Sequence, residues 1–211
     1  AKSVVIASTQ YGGTDVGNYV ITDQATTTAE ITAKSISVSG IAGVAREYDG
    51  STVITLDGSG AIFNDIVSGD DLNVTSATGA LVDKNIGTAK SIVIGSTQYG
   101  GTDVGNYVIT DQATTTAEIT AKSVTVSGIT GVGREYDGST VITLDGSGAV
   151  FTDIVSGDDL NVTSATGALV DKNVGTAKSV VIGSTQYGGT DLGNYVITDQ
   201  ATTTAEITAK S

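Results

Sequence analysis

Five aspartates of this sequence, Asp57, Asp65, Asp70, Asp71 and Asp103, stand in or beside turns rich in glycine and serine. Carboxylates gathered from turns are what a hard cation such as calcium takes as ligands, and these five are the candidate metal-binding residues. Their spacing fits neither an EF-hand nor a nonapeptide calcium repeat, and solvated turn acids are the commoner case. Tyr48-Asp49-Gly50 is a second candidate, either as a ligand contact or as a tight turn in which Gly relaxes φ and Asp bonds the local backbone. Asn106-Tyr107 opens an apolar strand. A tyrosine there packs inward and ties its hydroxyl back to the backbone, which makes Tyr107 and Phe63 core anchors; an aromatic platform for a sugar is the alternative. Lys84 beside Asn85 brings to mind a Lys–Asn isopeptide bond, but neighbours on a strand point to opposite faces, so these two do not join each other. The chain holds no His and no Cys, which removes the commonest general base and all thiolate chemistry. Carboxylates alone, with nothing to converge them, do not make a catalytic centre, and no enzyme is expected.

These residues must be positioned by a repeating unit. Ala1–Thr32 returns at Ala89–Thr120 and at Ala177–Thr208, and Ala33–Thr88 returns at Ala121–Thr176, so the start points 1, 89 and 177 lie 88 residues apart. The expected organisation is a C-terminal fragment of a repeat over residues 1–32, complete repeats over 33–120 and 121–208, and the start of another at 209–211. Val, Ile and Thr alternate with small polar residues between Gly, Asp, Asn and Ser clusters, which is a strand pattern. In one repeat it predicts strands at Ser35–Ser39, Thr52–Leu56, Ala61–Val67, Leu72–Ser76, Gly79–Val82, Lys90–Ser96, Tyr107–Thr110 and Thr115–Thr120. Seven or eight short strands and no helix predict an all-β fold of immunoglobulin-like β-sandwich modules. Aliphatic exchanges between copies, such as Ile36/Val124, Ile62/Val150 and Ile92/Val180, suit core positions.

The boundary between repeats contains no glycine tether. Ala117, Ile119 and Ala121 share one parity, whereas Val124 and Val126 share the other, so side chains change face near Ala121. The modules are therefore expected to be stiffly joined end to end. Residues 1–32 hold about three strands and need a cover for their apolar face. A preceding repeat of a longer chain, or a neighbouring copy in a filament, is expected to supply it.

The charge is one-sided. The whole chain carries −13, and residues 33–120 set ten acids against four bases, a net of −6. Such a surface repels nucleic acid and anionic membrane, and no apolar run is long enough to span a bilayer, so neither nucleic-acid binding nor membrane insertion is expected.

Tyr48-Asp49-Gly50, Asp83-Lys84-Asn85-Ile86-Gly87, Asp103-Val104-Gly105-Asn106-Tyr107 and Thr116-Ala117-Glu118-Ile119-Thr120, in that order, resemble the YDG-domain repeats of large bacterial adhesins similar to filamentous haemagglutinin. The second copy repeats the set at Tyr136, Asp171-Lys172-Asn173 and Asp191-Leu192-Gly193-Asn194-Tyr195. Ala33 and Ala121 stand where such repeats often carry Pro. The resemblance implies a secreted or cell-surface fibre serving attachment or a biofilm matrix, with neighbouring repeats as partners and no catalytic residues. The alternative is a multivalent array of carbohydrate- or calcium-binding modules, with surface glycans as partners and calcium as the one cofactor.

Overall fold

The structure, a computed structural model, describes residues 1–211 and is built almost wholly of β-strands. The chain opens with β1 (Lys2–Val5) and β2 (Thr26–Ala29), an antiparallel pair. The first complete repeat follows as β3 (Lys34–Ser39), β4 (Ala42–Gly43), β5 (Arg46–Glu47), β6 (Val53–Asp57), β7 (Ile62–Asn64), β8 (Asn73–Leu81), β9 (Gly87–Gly100), β10 (Tyr107–Thr110) and β11 (Thr114–Thr120). The second repeat restates these nine as β12 (Lys122–Ser127), β13 (Thr130–Gly131), β14 (Arg134–Glu135), β15 (Val141–Asp145), β16 (Val150–Thr152), β17 (Asn161–Leu169), β18 (Gly175–Gly188), β19 (Tyr195–Thr198) and β20 (Thr202–Thr208). The only helical pieces are three-residue 3-10 turns, such as Val104–Asn106.

Each repeat has two sheets. In the first, β10-β3-β7 form a three-stranded sheet and β4-β6-β8-β9-β11-β5 a six-stranded one. Two pairings are parallel, β10 with β3 and β11 with β5. Parallel neighbours cannot be joined by a tight hairpin, so the chain crosses between sheets to make them. Both crossovers bring the end of a repeat back beside its beginning.

Alternation decides what is buried. On β11, Ala117 and Ile119 point into the core; on β12, Val124 and Val126 do, and the change of face occurs across the single residue Ala121. Ile54, Leu81, Ile92, Ala117 and Ile119 form the centre of the first repeat's core, and Ile142, Leu169, Val180, Ala205 and Ile207 repeat it in the second. Beside this core, Gln112 accepts from the Ile41 amide at 2.9 Å and donates to its carbonyl at 2.8 Å, satisfying a turn backbone as a strand would.

Several expectations need revision. Leu72–Ser76 and Gly79–Val82 are one nine-residue strand, β8, whose register shifts against β9 between Val74 and Ser76 and again between Thr78 and Gly79. Bulges absorb the extra residues, and a Cβ at Gly79 would sit 2.8 Å from the Val93 carbonyl oxygen, so this glycine allows close approach of β9 where a break was expected. Ala61–Val67 contributes only the three residues of β7. Of the aliphatic exchanges, Ile92/Val180 and Ile36/Val124 are buried, but Ile62 and Val150 are 60% and 59% exposed. A swap tolerated on an open face carries no packing information.

Residues 1–32 stand apart in their burial. Every residue there is exposed except the half-buried Ile6, and Ile31 is 77% exposed where its counterparts Ile119 and Ile207 are 2% and 1% exposed. Truncation should report the same contrast within the first repeat. Ile92→Ala, at a fully sealed site, is expected to cost about 2–5 kcal/mol of that repeat's stability, and Ile62→Ala less than about 1 kcal/mol. Urea unfolding of each variant measures both.

Candidate functional site at the joint between repeats

Tyr48 is delivered by a tightly tied turn. Its amide donates to the Thr120 carbonyl at 2.9 Å, Asp49 accepts the Ser51 amide at 2.8 Å, and Arg46 pairs with Asp49 while donating to the Ser51 carbonyl at 2.6 Å. Gly50 has φ +76°, and a Cβ there would meet Val155 at 2.8 Å. The glycine is thus required both for the left-handed turn and for contact with the next repeat. Tyr48 is only 1% exposed. Its ring meets Tyr195 edge-on, with centroids 5.5 Å apart and planes at 78°, the geometry that aromatic quadrupoles favour.

A second turn delivers Lys84. Asp83 accepts the Asn85 amide at 2.9 Å and is held by Lys90 at 2.5 Å. Lys84 then projects across the boundary, with Nζ 2.7 Å from Asp158 and 2.8 Å from Asp191, and 5.9 Å from the Tyr48 ring centroid. Next to it, Asn194 accepts the Ile86 amide at 3.1 Å and donates to Asn85 at 3.2 Å. Lys122 and Glu47 close the rim at 3.2 Å.

The second repeat supplies the receiving face. Asp158 lies in a turn whose Val155 amide donates to the Tyr195 hydroxyl at 3.0 Å. Asp191 accepts the Asp159 amide at 3.1 Å, and the 3-10 turn Leu192–Asn194 sets Asn194 and Tyr195 toward the boundary. Asp158 is the hub. One oxygen faces Lys84; the other accepts from Tyr48 at 2.7 Å and from Tyr195 at 2.6 Å. Its side chain is 3% exposed.

The electrostatics follow from that enclosure. Burial pushes the Asp158 carboxyl toward neutrality, but the hydrogen bonds from Lys84, Tyr195 and Tyr48 outweigh it and hold the group below the ordinary carboxylate range. Lys84 is raised by its bonds to Asp158, Asp191 and Tyr48, so it stays an ammonium. Tyr48 and Tyr195 are both raised, first by burial and then by donating to a carboxylate that ionisation would repel. The arrangement is a charged, hydrogen-bonded clasp, and it offers neither a nucleophile nor an open cleft.

The sequence-predicted metal residues are partly brought together. Asp70, Asp71 and Asp103 meet on the corresponding face of the first repeat. There Asp70 accepts from Tyr107 at 2.5 Å, Asp103 accepts the Asp71 amide at 3.0 Å, and Asp71 accepts the Thr102 amide at 3.2 Å. Asp57 is elsewhere, capping Ser59 at 2.8 Å, and Asp65 lies at a left-handed turn residue with φ +67°. No group of three or more His, Cys, Asp or Glu side chains is arranged to hold a metal ion. Tyr107 packs inward with its hydroxyl accepting the Val67 amide at 3.0 Å, and Phe63 stacks edge-on to Tyr99 at 5.8 Å. Taken singly, Tyr48 reads as a turn residue and Lys84 with Asn85 as neighbours that do not join each other. Their shared destination on the next repeat had one sequence signal: Tyr48, Lys84 and Asn85 recur 88 residues on as Tyr136, Lys172 and Asn173, and Asp158, Asp191, Asn194 and Tyr195 repeat Asp70, Asp103, Asn106 and Tyr107 at the same spacing.

A family model, the YDG domain, matches residues 32–117 and again residues 120–205. This chain belongs to the YDG domain family. Neither a curated protein nor a solved structure matches it. In this YDG tandem the Tyr-Asp-Gly triplet of the first domain is part of the contact with the second.

The clasp predicts a two-sided pH dependence. An unfolded aspartate titrates at 3.8 and Asp158 lies lower in the fold, so its contribution is complete above 3.8 and is lost as pH falls through the folded value. Tyr48 and Tyr195 are raised from 10.0, so their contribution is complete below 10.0 and is lost as pH rises through the folded values. Near-UV circular dichroism of the tyrosines is expected to hold a plateau between these limits. Asp158→Asn should flatten the acid limb and cost about 1–3 kcal/mol at neutral pH.

Proposed function

We propose that this chain is part of an extracellular structural and adhesive array, a stiff stalk or fibre of tandem YDG domains that serves cell-surface attachment or a biofilm matrix. The observation that carries the reading is where the motif residues are spent. Tyr48, Gly50, Lys84 and Asn85 go into the contact between repeats, and none lines an open cleft. In this reading each repeat is a sandwich-like β-module, its partners are the repeats before and after it, and the protein performs no catalysis.

Mechanics supports the same conclusion. The connection is one residue long, Ala121, between strands belonging to different repeats. A tether this short allows little bending unless the contact beside it breaks, unlike a Gly/Ser linker whose span fluctuates freely. The clasp sits off this connection and braces it at a second point. The charge of −6 over residues 33–120 keeps neighbouring stalks from collapsing on one another, as suits a crowded surface or matrix.

Small-angle scattering on residues 1–211 tests the stalk. A long, narrow distance distribution that widens in Asp158→Asn is expected, and a broad, compact distribution in the unaltered chain would contradict it. Glycan-array binding with and without calcium separates a passive stalk from an array of binding modules. Calcium-dependent glycan binding that is lost in Asp70→Asn would assign the array to sugar recognition instead.

A further inference from the structure

A stalk that holds one surface to another is pulled along its length, and the pull crosses every repeat from its first strand to its last. How those strands are paired decides whether their hydrogen bonds break one at a time or together.

In each repeat the beginning and the end are paired in parallel. β3 opens the first repeat and lies beside β10 over four pairs, from Tyr107↔Lys34 to Thr110↔Ser37. β11 closes the repeat, and its Ile119 and Thr120 lie beside Arg46 and Glu47 of β5. The second repeat restates both, with β12 beside β19 and β20 beside β14. One residue, Ala121, separates β11 from β12, and a chain reversal takes at least a two-residue turn, so the pull runs forward from one strand into the next. It draws the amino end of β3 backward and the carboxyl end of β11 forward. In an antiparallel hairpin two such ends lie together, and the ladder opens there bond by bond. In a parallel ladder they lie at opposite ends, so the pull acts along the strands and loads every bond at once. A single hydrogen bond is worth little net and gives way alone; a set loaded together does not.

We infer that each repeat is a shear lock that stays folded under tension along the array, fastened by Gln112 in the first repeat and Gln200 in the second. The inference rests on the stalk reading above and adds what the stalk withstands.

Gln112 lies between β10 and β11. It accepts the Ile41 amide at 2.9 Å and donates to the Ile41 carbonyl at 2.8 Å and the Thr114 carbonyl at 2.9 Å. Ile41 stands just past the end of β3 and is 1% exposed. One side chain thus joins the end of the first strand to the segment between the last two, 71 residues away. Gln200 holds Ile129 at the same distances. A turn backbone can be satisfied by a near neighbour; this one is satisfied across the repeat, between the segments that the pull would part. The exit of the load is held similarly, because the Thr120 carbonyl accepts the Tyr48 amide and the Thr208 carbonyl the Tyr136 amide, each at 2.9 Å. Ile36, Val38 and Ile119 are buried, so sliding of β3 or β11 must also drag core side chains.

β8 and β9 are the opposite case. They are antiparallel, β6 pairs with β8 only from Thr78 on, and β11 pairs with β9 only as far as Val93. Asn73 and Gln98 therefore stand near the open end of a two-stranded ribbon, where a pull peels the bonds singly.

Optical tweezers on residues 1–211 test the lock, with handles either at the two chain ends or on cysteines placed by Asn73→Cys and Gln98→Cys, both exposed sites in a chain without cysteine. Forced unfolding reads the unfolding rate along the direction pulled. Pulled by its ends, the chain is expected to give two ruptures, each releasing about 300 Å from 88 residues at ~3.5 Å each. Both should need a several-fold higher force than opening the first repeat through positions 73 and 98. Gln112→Ala should lower the force of one rupture, leave the other, which keeps Gln200, as it was, and leave the force across positions 73 and 98 unchanged. Should that variant give a single rupture because the first repeat does not fold, Gln112→Glu, which keeps the acceptor and loses the donor, supplies the same comparison. An end-to-end force no higher than the force across positions 73 and 98, or two ruptures that neither glutamine variant moves, overturns the inference. Scattering keeps the two readings apart: a long, narrow chain that gives way at the lower force removes this inference alone, whereas a broad, compact distribution removes the stalk reading beneath it.

Discussion

A carboxylate sealed from water at a boundary between two domains cannot stand without partners. Asp158 is such a group, and the partners it requires come from both sides of the boundary. The cost of desolvating a charge is several kcal/mol, and it is offset only when hydrogen-bond donors fill the remaining lone pairs. Here an ammonium and a phenol from the preceding repeat, with a phenol from its own, do so. That single requirement ties the Tyr-Asp-Gly turn, the Asp-Lys-Asn turn and the Asn-Tyr dipeptide into one device, and each turn's own hydrogen bonds serve to aim a side chain at it.

Repetition makes the device general. Tyr48, Lys84 and Asn85 recur as Tyr136, Lys172 and Asn173, and Asp158, Asp191, Asn194 and Tyr195 as Asp70, Asp103, Asn106 and Tyr107, so both repeats own the two halves of this contact, and at the joint the domain core extends through it. Tyr195 and Val124 of the second repeat belong to the same buried cluster as Ile54, Leu81, Ile92 and Ile119 of the first. Only 20 of 211 residues are buried, so a joint that shares core side chains is a large part of what packing each repeat has. An array built this way gains stability from neighbours, as repeat proteins do when each unit leans on the next.

Much of this was open to reading in the sequence. The period, the all-β character and the change of face at Ala121 follow from alternation and from Ala117, Ile119, Val124 and Val126, which are local signals. The sheet arrangement was not, because β10 beside β3 and β11 beside β5 are parallel pairings between strands more than seventy residues apart, and nothing local encodes them. β4 and β5 were missed for a related reason: two-residue strands have no period. The joint is not legible residue by residue, because each of its side chains answers to a partner on another repeat. Tyr48 reads as a turn residue, which it is, but its side chain answers to Asp158, 110 positions away. Asp70, Asp71 and Asp103 drew attention as cation ligands because acids in turns are the general signal for calcium. In the fold those carboxylates accept from a phenol and from backbone amides, and on the next repeat two of the same positions, Asp158 and Asp191, receive a lysine.

The central claim is that the Tyr-Asp-Gly tyrosine of one repeat and the acid of the next act as a unit. A double-mutant cycle measures that directly. Tyr48→Phe and Asp158→Asn, alone and together, are followed by urea unfolding of residues 1–211. Tyr136→Phe paired with Asp158→Asn serves as the control, because Tyr136 lies on the far face of the second repeat. The account predicts a coupling of about 0.5–3 kcal/mol for the Tyr48 pair and none for the Tyr136 pair. Strict additivity for Tyr48 and Asp158 would mean that the two repeats merely touch, and would contradict it.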